Sequence, residues 1–371
     1  MTTWLSAGIL FTFAAIAVIL MRWGNLRCIG VTPVRTFTFI AILFTSGLDV
    51  GLIMFPLTEF AGYADLAASP EYGFTNPLAI EFGFWAFLIW GFYFLTCFYF
   101  CVIEPRVKFF EIPVVKFINN IVIIGTCAFT AYLLLSNLPW YMPEVGDGET
   151  VIGSFYLIVF LAIAFAVYSS TSLRYVRTVS LLGGYFGNIH EFVLPLNDYH
   201  EFYLYWWFAW SIMIGQFTSR FVGGLRTYQV LLAMLVFPSI PIAIWFSVLY
   251  YYSANGLETA GFYNLAMVIV GITFVINSLD SLIRLYTDNL NLTVARFGKV
   301  KYFIGNLTAL CVLTLLFKLD FLQIQWVGAV VIGIFFACFG YILWKKFAVV
   351  SNIAASPKEN KIDFNKIELA N

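Results

Sequence analysis

Charge is scarce in this chain. Only 11% of its 371 residues are Asp, Glu, Lys or Arg, and the two signs cancel to a net charge of zero. A soluble domain carries about 25% charged residues. The balance removes the electrostatic case for a nucleic-acid partner, which needs a basic surface. Histidine is rarer still, at two, and the six cysteines (28, 97, 101, 127, 311 and 338) lie mostly inside apolar segments. That leaves no ligand set for a metal centre and no nucleophile–base pair, so no enzyme is expected. The cysteines read as small buried hydrophobes. The chain is instead 61% hydrophobic and 20% aromatic. A soluble core of this length has no use for so much apolar surface, and lipid is the expected solvent.

Ten apolar stretches are long enough to cross a bilayer: about 4–21, 37–57, 78–101, 114–137, 151–171, 202–219, 229–252, 261–285, 302–317 and 323–344. The first has neither a basic start nor an evident cleavage site, so it is expected to be a span and not a removed signal. Residues 1–347 read as one membrane domain and 348–371 as a flexible cytoplasmic tail. The distribution of Arg and Lys sets the orientation. Arg22, Arg27 and Arg35, then Arg106 and Lys108, then Arg174 and Arg177 mark cytoplasmic loops. Glu59, Asp65 and Glu71, then Glu144, Asp147 and Glu149 mark the outside. The second half is as clear, with Arg220, Arg226, Arg296, Lys299, Lys301, Lys345 and Lys346 inside. The two halves do not join unless 178–196 crosses, as an eleventh short or broken span. The rival is an amphipathic surface helix there, with one half inverted.

The stretch from Glu201 to Arg226 reads EFYLYWWFAWSIMIGQFTSRFVGGLR. On a helix Trp206 and Trp210 share one face, and Trp207 lies about 100° round from them. Three indole faces can wall a site for a methylated ammonium group, which offers charge but few N–H donors. The competing reading is an interfacial belt or a packed helix contact. Belts form at span ends, and this cluster lies in the first half of its span. The pattern WW-x-x-W, then G-x-F-x-x-R and a Gly/Arg loop, resembles the signature helix of the betaine/carnitine/choline transporter family. Trp206, Trp207, Trp210, Gly215, Phe217, Arg220, Gly224, Arg226 and Thr227 fit, with one extra residue in the Arg loop.

Other spans carry the same resemblance. The second contains FTSGLDVGLIMF, with Asp49 near the bilayer centre between Gly47 and Gly51. A mid-span carboxylate is costly and marks a cation site, or else an ion pair with a residue such as Arg284. The family has G-x-G-x-G here, on an unwound helix, with an acidic residue following; Gly47, Gly51 and Glu59 fit, and Asp49 replaces the middle glycine. A carboxylate there favours a full cation over a zwitterion. In the third span the family's W-G-x-x-x-W-x-x-Y aligns with Phe82, Gly83, Phe87 and Trp90. A packed aromatic face is the plain alternative. The fourth span places Thr126 and Thr130 on one face, where two hydroxyls suit Na⁺ or simply bond back to the helix. The eighth holds Asn277, Ser278, Asp280 and Ser281, resembling the family's T-S-x-D-S, with Phe274 also fitting. Arg284, one turn beyond Asp280, reads as a gate, a structural partner or a helix-end residue.

The resemblance implies an all-α polytopic membrane protein with a LeuT-like inverted-repeat fold. It implies Na⁺-coupled uptake of a small methylated ammonium compound. Trimethylamine is the expected substrate, because the short form with an acid in the glycine-rich span is similar to the compact trimethylamine transporters. The substrate residues would be Trp206, Trp207, Trp210, Trp90, Phe87, Phe82 and Asp49. The Na⁺ ligands would be Asn277, Ser278, Leu48, Phe274, Thr126, Thr130 and Met213. The expected setting is a bacterial inner (plasma) membrane, with a cytoplasmic C-terminus and a homotrimeric assembly. Glycine betaine, choline or carnitine are the rival substrates, and a non-transporting receptor or assembly subunit is the rival class. Relative to the family the first helix is missing, the region from Lys108 to Asp198 is compressed, and the long charged termini are absent, so no osmosensing is expected.

Overall fold

The computed structural model describes residues 2–47, 77–143, 150–171, 198–257 and 261–353, with residues 52, 55, 56, 59, 60, 62 and 145. The described residues are helical and contain no strand; one isolated bridge joins Arg27 to Arg226. The helices are α1 (Thr2–Trp23), α2 (Thr36–Gly47), α3 (Pro77–Val107), α4 (Pro113–Tyr141) and α5 (Gly153–Ser169). They continue as α6 (Asp198–Thr218), α7 (Thr227–Ala254), α8 (Phe262–Asn289), α9 (Val294–Lys318) and α10 (Ile324–Ser351). The expected crossing at 178–196 lies outside the described residues. The last helix runs past residue 347 through Ser351, and the Trp23 indole donates to the Ile353 carbonyl at 3.1 Å.

Seven of these helices are long and apolar enough to cross a membrane: α1, α3, α4, α7, α8, α9 and α10. This is a multi-pass membrane protein. Three expected spans fall short of that measure for separate reasons. The described part of α2 stops at Gly47, and α5 has 17 residues. The 21-residue α6 is long enough, but its indoles, phenols and polar ends dilute its apolarity.

Burial separates the inner helices from the outer ones. In α3 82% of the apolar stretch is buried, against 28% in α9 and in α10. The outer helices turn Leu, Val and Phe to their surroundings, including Leu10, Val18, Val312, Val330 and Phe339. That suits lipid, which rewards no burial of such faces.

Two glycines set how closely the inner helices meet. A Cβ on Gly215 of α6 would come within 2.4 Å of the Thr96 side chain on α3. The Thr96 hydroxyl donates to the Ser211 carbonyl of α6 at 2.6 Å across the same contact. A Cβ on Gly328 of α10 would stand 2.1 Å from the Tyr205 carbonyl oxygen of α6, where backbone meets backbone. Gly328→Ala is therefore expected to cost about 1–3 kcal/mol through overpacking. Gly305→Ala in α9, where nothing lies within 4 Å, is the matched control. Thermal unfolding in detergent checks this: equal melting temperatures for the two variants would refute the close approach.

At one end of the bundle a backbone strap ties the loop after α1 to the loop after α6. Cys28 N–H donates to Leu225 O (2.8 Å), Gly224 N–H to Cys28 O (3.0 Å), Thr32 N–H to Arg220 O (2.8 Å) and Thr227 N–H to Leu26 O (2.8 Å). The Arg27 guanidinium adds a bond to the Gly224 carbonyl at 2.6 Å. Gly224 sits at φ 81°, in the left-handed region that only glycine enters cheaply. A Cβ on Gly30 would lie 2.5 Å from the Gly223 nitrogen. The Gly/Arg residues of the signature thus have a structural task in this chain.

Candidate functional site

The aromatic centre is built where α6 runs beside α3. Trp206, Trp207 and Trp210 are all fully buried. The α3 rings that meet them come from a π-helical turn, Gly83–Leu88. A π turn holds one more residue than an α turn, shifts the register that follows, and recurs at functional sites. From it Trp85 stands edge-on to Trp207 (centroids 5.0 Å, 70°) and to Trp206 (6.2 Å, 81°). Phe84 lies 4.4 Å from Trp207. Tyr203 closes the group, stacked on Trp207 (6.0 Å, 17°) and edge-on to Trp85 (5.1 Å, 60°). From α4, Phe129 packs edge-on to Trp206 at 6.0 Å.

The sequence motif named other α3 rings. Phe82 is buried on the same helix. Trp90 is buried further along and stands edge-on to Tyr93 of its own helix at 5.5 Å. The Phe87 side chain, Leu48 and Asp49 lie outside the described residues. Trp85 and Tyr203 carry no motif signal, because aromatics are everywhere in this chain.

Two polar features surround the rings. The Nε1 atoms of Trp85, Trp90, Trp206, Trp207 and Trp210 are buried and meet no acceptor among the described residues. A buried donor without an acceptor costs about 1–3 kcal/mol, so such atoms mark places where a ligand can bind. The second feature is acidic. Glu81 of α3 is fully buried, three and four residues before Phe84 and Trp85. The Tyr203 hydroxyl donates to the Glu59 carboxylate. Glu81 was legible by the rule already applied to Asp49, that a carboxylate inside a span is functional by default.

The expected Na⁺ ligands among the described residues are buried, and their bonding differs. Thr126 donates to the Val122 carbonyl (2.8 Å) and Thr130 to the Thr126 carbonyl (3.1 Å). Their protons are spent within α4, while the oxygens keep lone pairs for a cation. Ser278 on α8 has a buried hydroxyl with no hydrogen-bond partner among the described residues. An orphaned oxygen of this kind fits a hard-cation shell. Asn277, Phe274 and Met213 are buried too.

Next to these, Asp280 is part of a structural network. Arg284 pairs with it through Nε (3.0 Å) and Nη2 (2.9 Å) and also donates to the Ser169 carbonyl of α5 (2.5 Å). Ser169 donates its own hydroxyl to Asp280 at 2.5 Å. Ser170 and Tyr302 extend the connection to α9 at 2.8 Å. Of the roles open to Arg284 in the sequence, the structure shows that of a structural partner.

Comparison with known proteins gives short matches. No family model matches the chain. Glycine betaine transporter OpuD of Bacillus subtilis is 35% identical over 71 residues, 19% of this chain and 14% of its own length. An uncharacterized transporter of Mycobacterium tuberculosis is 29% identical over 79 residues, 19% of this chain and 13% of its own. Glycine betaine transporter 1 of Vibrio parahaemolyticus is 29% identical over 79 residues, 21% of this chain and 15% of its own. The matches thus span about one seventh of these relatives' length. Over that short stretch the chain is similar to proteins named as glycine betaine transporters.

Proposed function

We propose that this chain is a secondary-active carrier that takes up a small methylated ammonium compound with Na⁺, and that trimethylamine is its substrate. The observation that carries the reading is the buried cluster of Trp206, Trp207, Trp85, Phe84 and Tyr203, with the Glu59 carboxylate accepting from the Tyr203 hydroxyl. Desolvated aromatic faces attract an ammonium ion by cation–π interaction worth about 2 kcal/mol each, and a nearby carboxylate adds charge. Trp210 and Trp90 would extend the wall, as would Phe82 and Phe87 in the motif. Asp49 would be a counter-ion on the glycine-rich span. Na⁺ would be held by Asn277, Ser278, Thr126 and Thr130, with Leu48, Phe274 and Met213 completing the two shells. A LeuT-like inverted repeat, with its broken helices meeting at the midplane, is the fold this proposal uses. Ion and substrate drive the switch only through unequal affinity for the inward and outward states. The setting is a bacterial inner membrane, the C-terminus cytoplasmic and the assembly a homotrimer.

A second reading has its own support: uptake of glycine betaine, the cargo named for two of the relatives. The unpartnered indole N–H groups favour it, because betaine brings a carboxylate that can accept from them. Uptake of labelled trimethylamine, glycine betaine and choline into liposomes of purified protein, with and without a Na⁺ gradient, separates the two. Na⁺-driven uptake of trimethylamine alone is the expected result. Betaine uptake alone would replace the first reading with the second, and no flux of any of them would remove both.

A further inference from the structure

We infer that the cavity between α1, α3 and α10 seats one acyl chain of an anionic phospholipid, with the lipid phosphate held by Arg22. The inference is independent of the transport reading. Helices α1 and α10 run parallel and are fastened to each other at two levels. At one, the Trp4 indole donates to the Ala329 carbonyl (3.2 Å), and Phe11 packs on Phe336 (5.4 Å) and Phe339 (5.3 Å). At the other, Arg22 donates to the Ser351 carbonyl and Trp23 to the Ile353 carbonyl (3.1 Å). Between them lies a cavity of about 340 Å³. Its wall on α1 includes Ala14 and Ala15, whose methyl groups leave the space open. Cys338 and Ile342 of α10 face it, and Phe98 and Ile103 of α3 back it. Ile342 opens a π-helical turn, Ile342–Lys346, the second such feature beside a cavity or ring cluster in this chain. Ala14, Val18 and Phe339 on the wall are exposed, so the cavity opens sideways, where lipid lies.

The wall asks for hydrocarbon. Its hydroxyl and indole groups are spent: Thr96 on the Ser211 carbonyl (2.6 Å), Tyr99 on Glu104 (2.6 Å) and Trp23 on the Ile353 carbonyl. A polar ligand would leave its own groups unpaired there. From Phe11 to Trp23 the wall runs about 18 Å along α1, at about 1.5 Å per residue. The hydrocarbon of one leaflet is about 15 Å deep, which matches a single extended chain. Charge at one end then selects the head. The exposed Arg22 guanidinium lies 5.3 Å from the ring of Trp23, a wall residue. Lys345 and Lys346 close the π turn that Ile342 opens, and the Lys345 ammonium stands 5.3 Å from the Trp344 ring. The acids at this end are engaged. Glu104 accepts from Tyr99 and from the amides of Phe109 (3.1 Å) and Phe110 (2.8 Å), and Glu111 pairs with Lys108 at 3.5 Å. A phosphodiester takes charge-assisted hydrogen bonds from a guanidinium. Basic side chains at a membrane surface favour a head that is negative overall over one that carries its own ammonium.

The test uses the full-length protein in detergent and phosphatidylglycerol carrying a photoactivatable diazirine midway along one acyl chain. After irradiation the cross-linked peptides are mapped. Label is expected on α1 from Phe11 to Ile19 and on α10 from Phe335 to Ile342. Unlabelled phosphatidylglycerol should displace it at more than about tenfold lower concentration than zwitterionic phosphatidylethanolamine with the same chains. Ala14→Phe puts a ring into the cavity and should remove this label, while label on the outer face of α9, around Val312, persists and reports a folded protein. Arg22→Gln should cut the advantage of phosphatidylglycerol about fivefold, and Arg22→Lys should keep most of it. Label spread evenly over the outer faces of α1, α9 and α10 overturns the inference, since it shows bulk lipid only. Equal displacement by the two lipids overturns it, as does cavity label that survives Ala14→Phe. Label on α9 with none in the cavity also overturns it, which is the result a second copy of this chain seated there would give.

Discussion

Trp207→Ala should abolish uptake of methylated ammonium compounds while the protein remains folded in the membrane. Trp207 is at the centre of the aromatic cluster: Phe84, Trp85 and Tyr203 all pack on it. Removing its indole takes away one cation–π face, worth about 2 kcal/mol or roughly 30-fold in affinity, and also the surface that orients Trp85 and Tyr203. The deletion leaves a cavity as well, with an expected stability cost of about 3–5 kcal/mol. Trp207→Leu separates the two effects, because Leu keeps much of the apolar volume and has no π face. It should melt near the wild type and still fail to transport. Wild-type uptake by a well-folded Trp207→Leu protein would end the case for the aromatic site.

Arg284→Met should be the most destabilising single change outside the rings. The guanidinium is almost wholly buried, makes two bonds to Asp280 and one to the Ser169 carbonyl, and so clamps α5 onto α8. Without it Asp280 is left as a buried charge, a loss of about 3–5 kcal/mol. The double variant Asp280→Leu/Arg284→Met should recover most of that, since apolar replacement of a buried pair is often neutral. Melting temperatures of the wild type, the two singles and the double form the cycle. A double variant no better than Arg284→Met would show that the clamp matters through Ser169 and not through charge.

Much of this architecture was legible in the residues. Apolar length alone marks the seven helices that are long and apolar enough to cross a membrane, because a span must satisfy its own backbone within lipid. The Asp280–Arg284 spacing of one turn announces a pair, and the structure makes it. Trp206, Trp207 and Trp210 of α6 are each buried. What escaped the sequence has physical causes. Trp85 lies in a π turn, and arguments from 3.6-residue periodicity lose their register there. Glu81 was hidden by an aromatic motif that drew attention to its neighbours. Thr126 and Thr130 show the right spacing, yet spacing cannot tell a cation ligand from a hydroxyl bonded to its own helix, and their protons take the second course. The strap between residues 24–34 and 220–227 leaves little trace, since main-chain hydrogen bonds are made by every residue alike.

That strap also bears on biogenesis. The Arg27 side chain finds its carbonyl partner 197 residues further along the chain. At a synthesis rate of about 5–20 residues per second, the loop after the first helix must wait about 10–40 s for the segment that completes it. Through that interval α1 is in the membrane with its loop's hydrogen-bonding groups still facing water. Closing the strap joins the ends of α1, α2, α6 and α7 in one step, after the aromatic helix has entered. The strap therefore cannot close before α6 and the start of α7 have been made, so capture of the first helix's loop is a late event in the making of this protein.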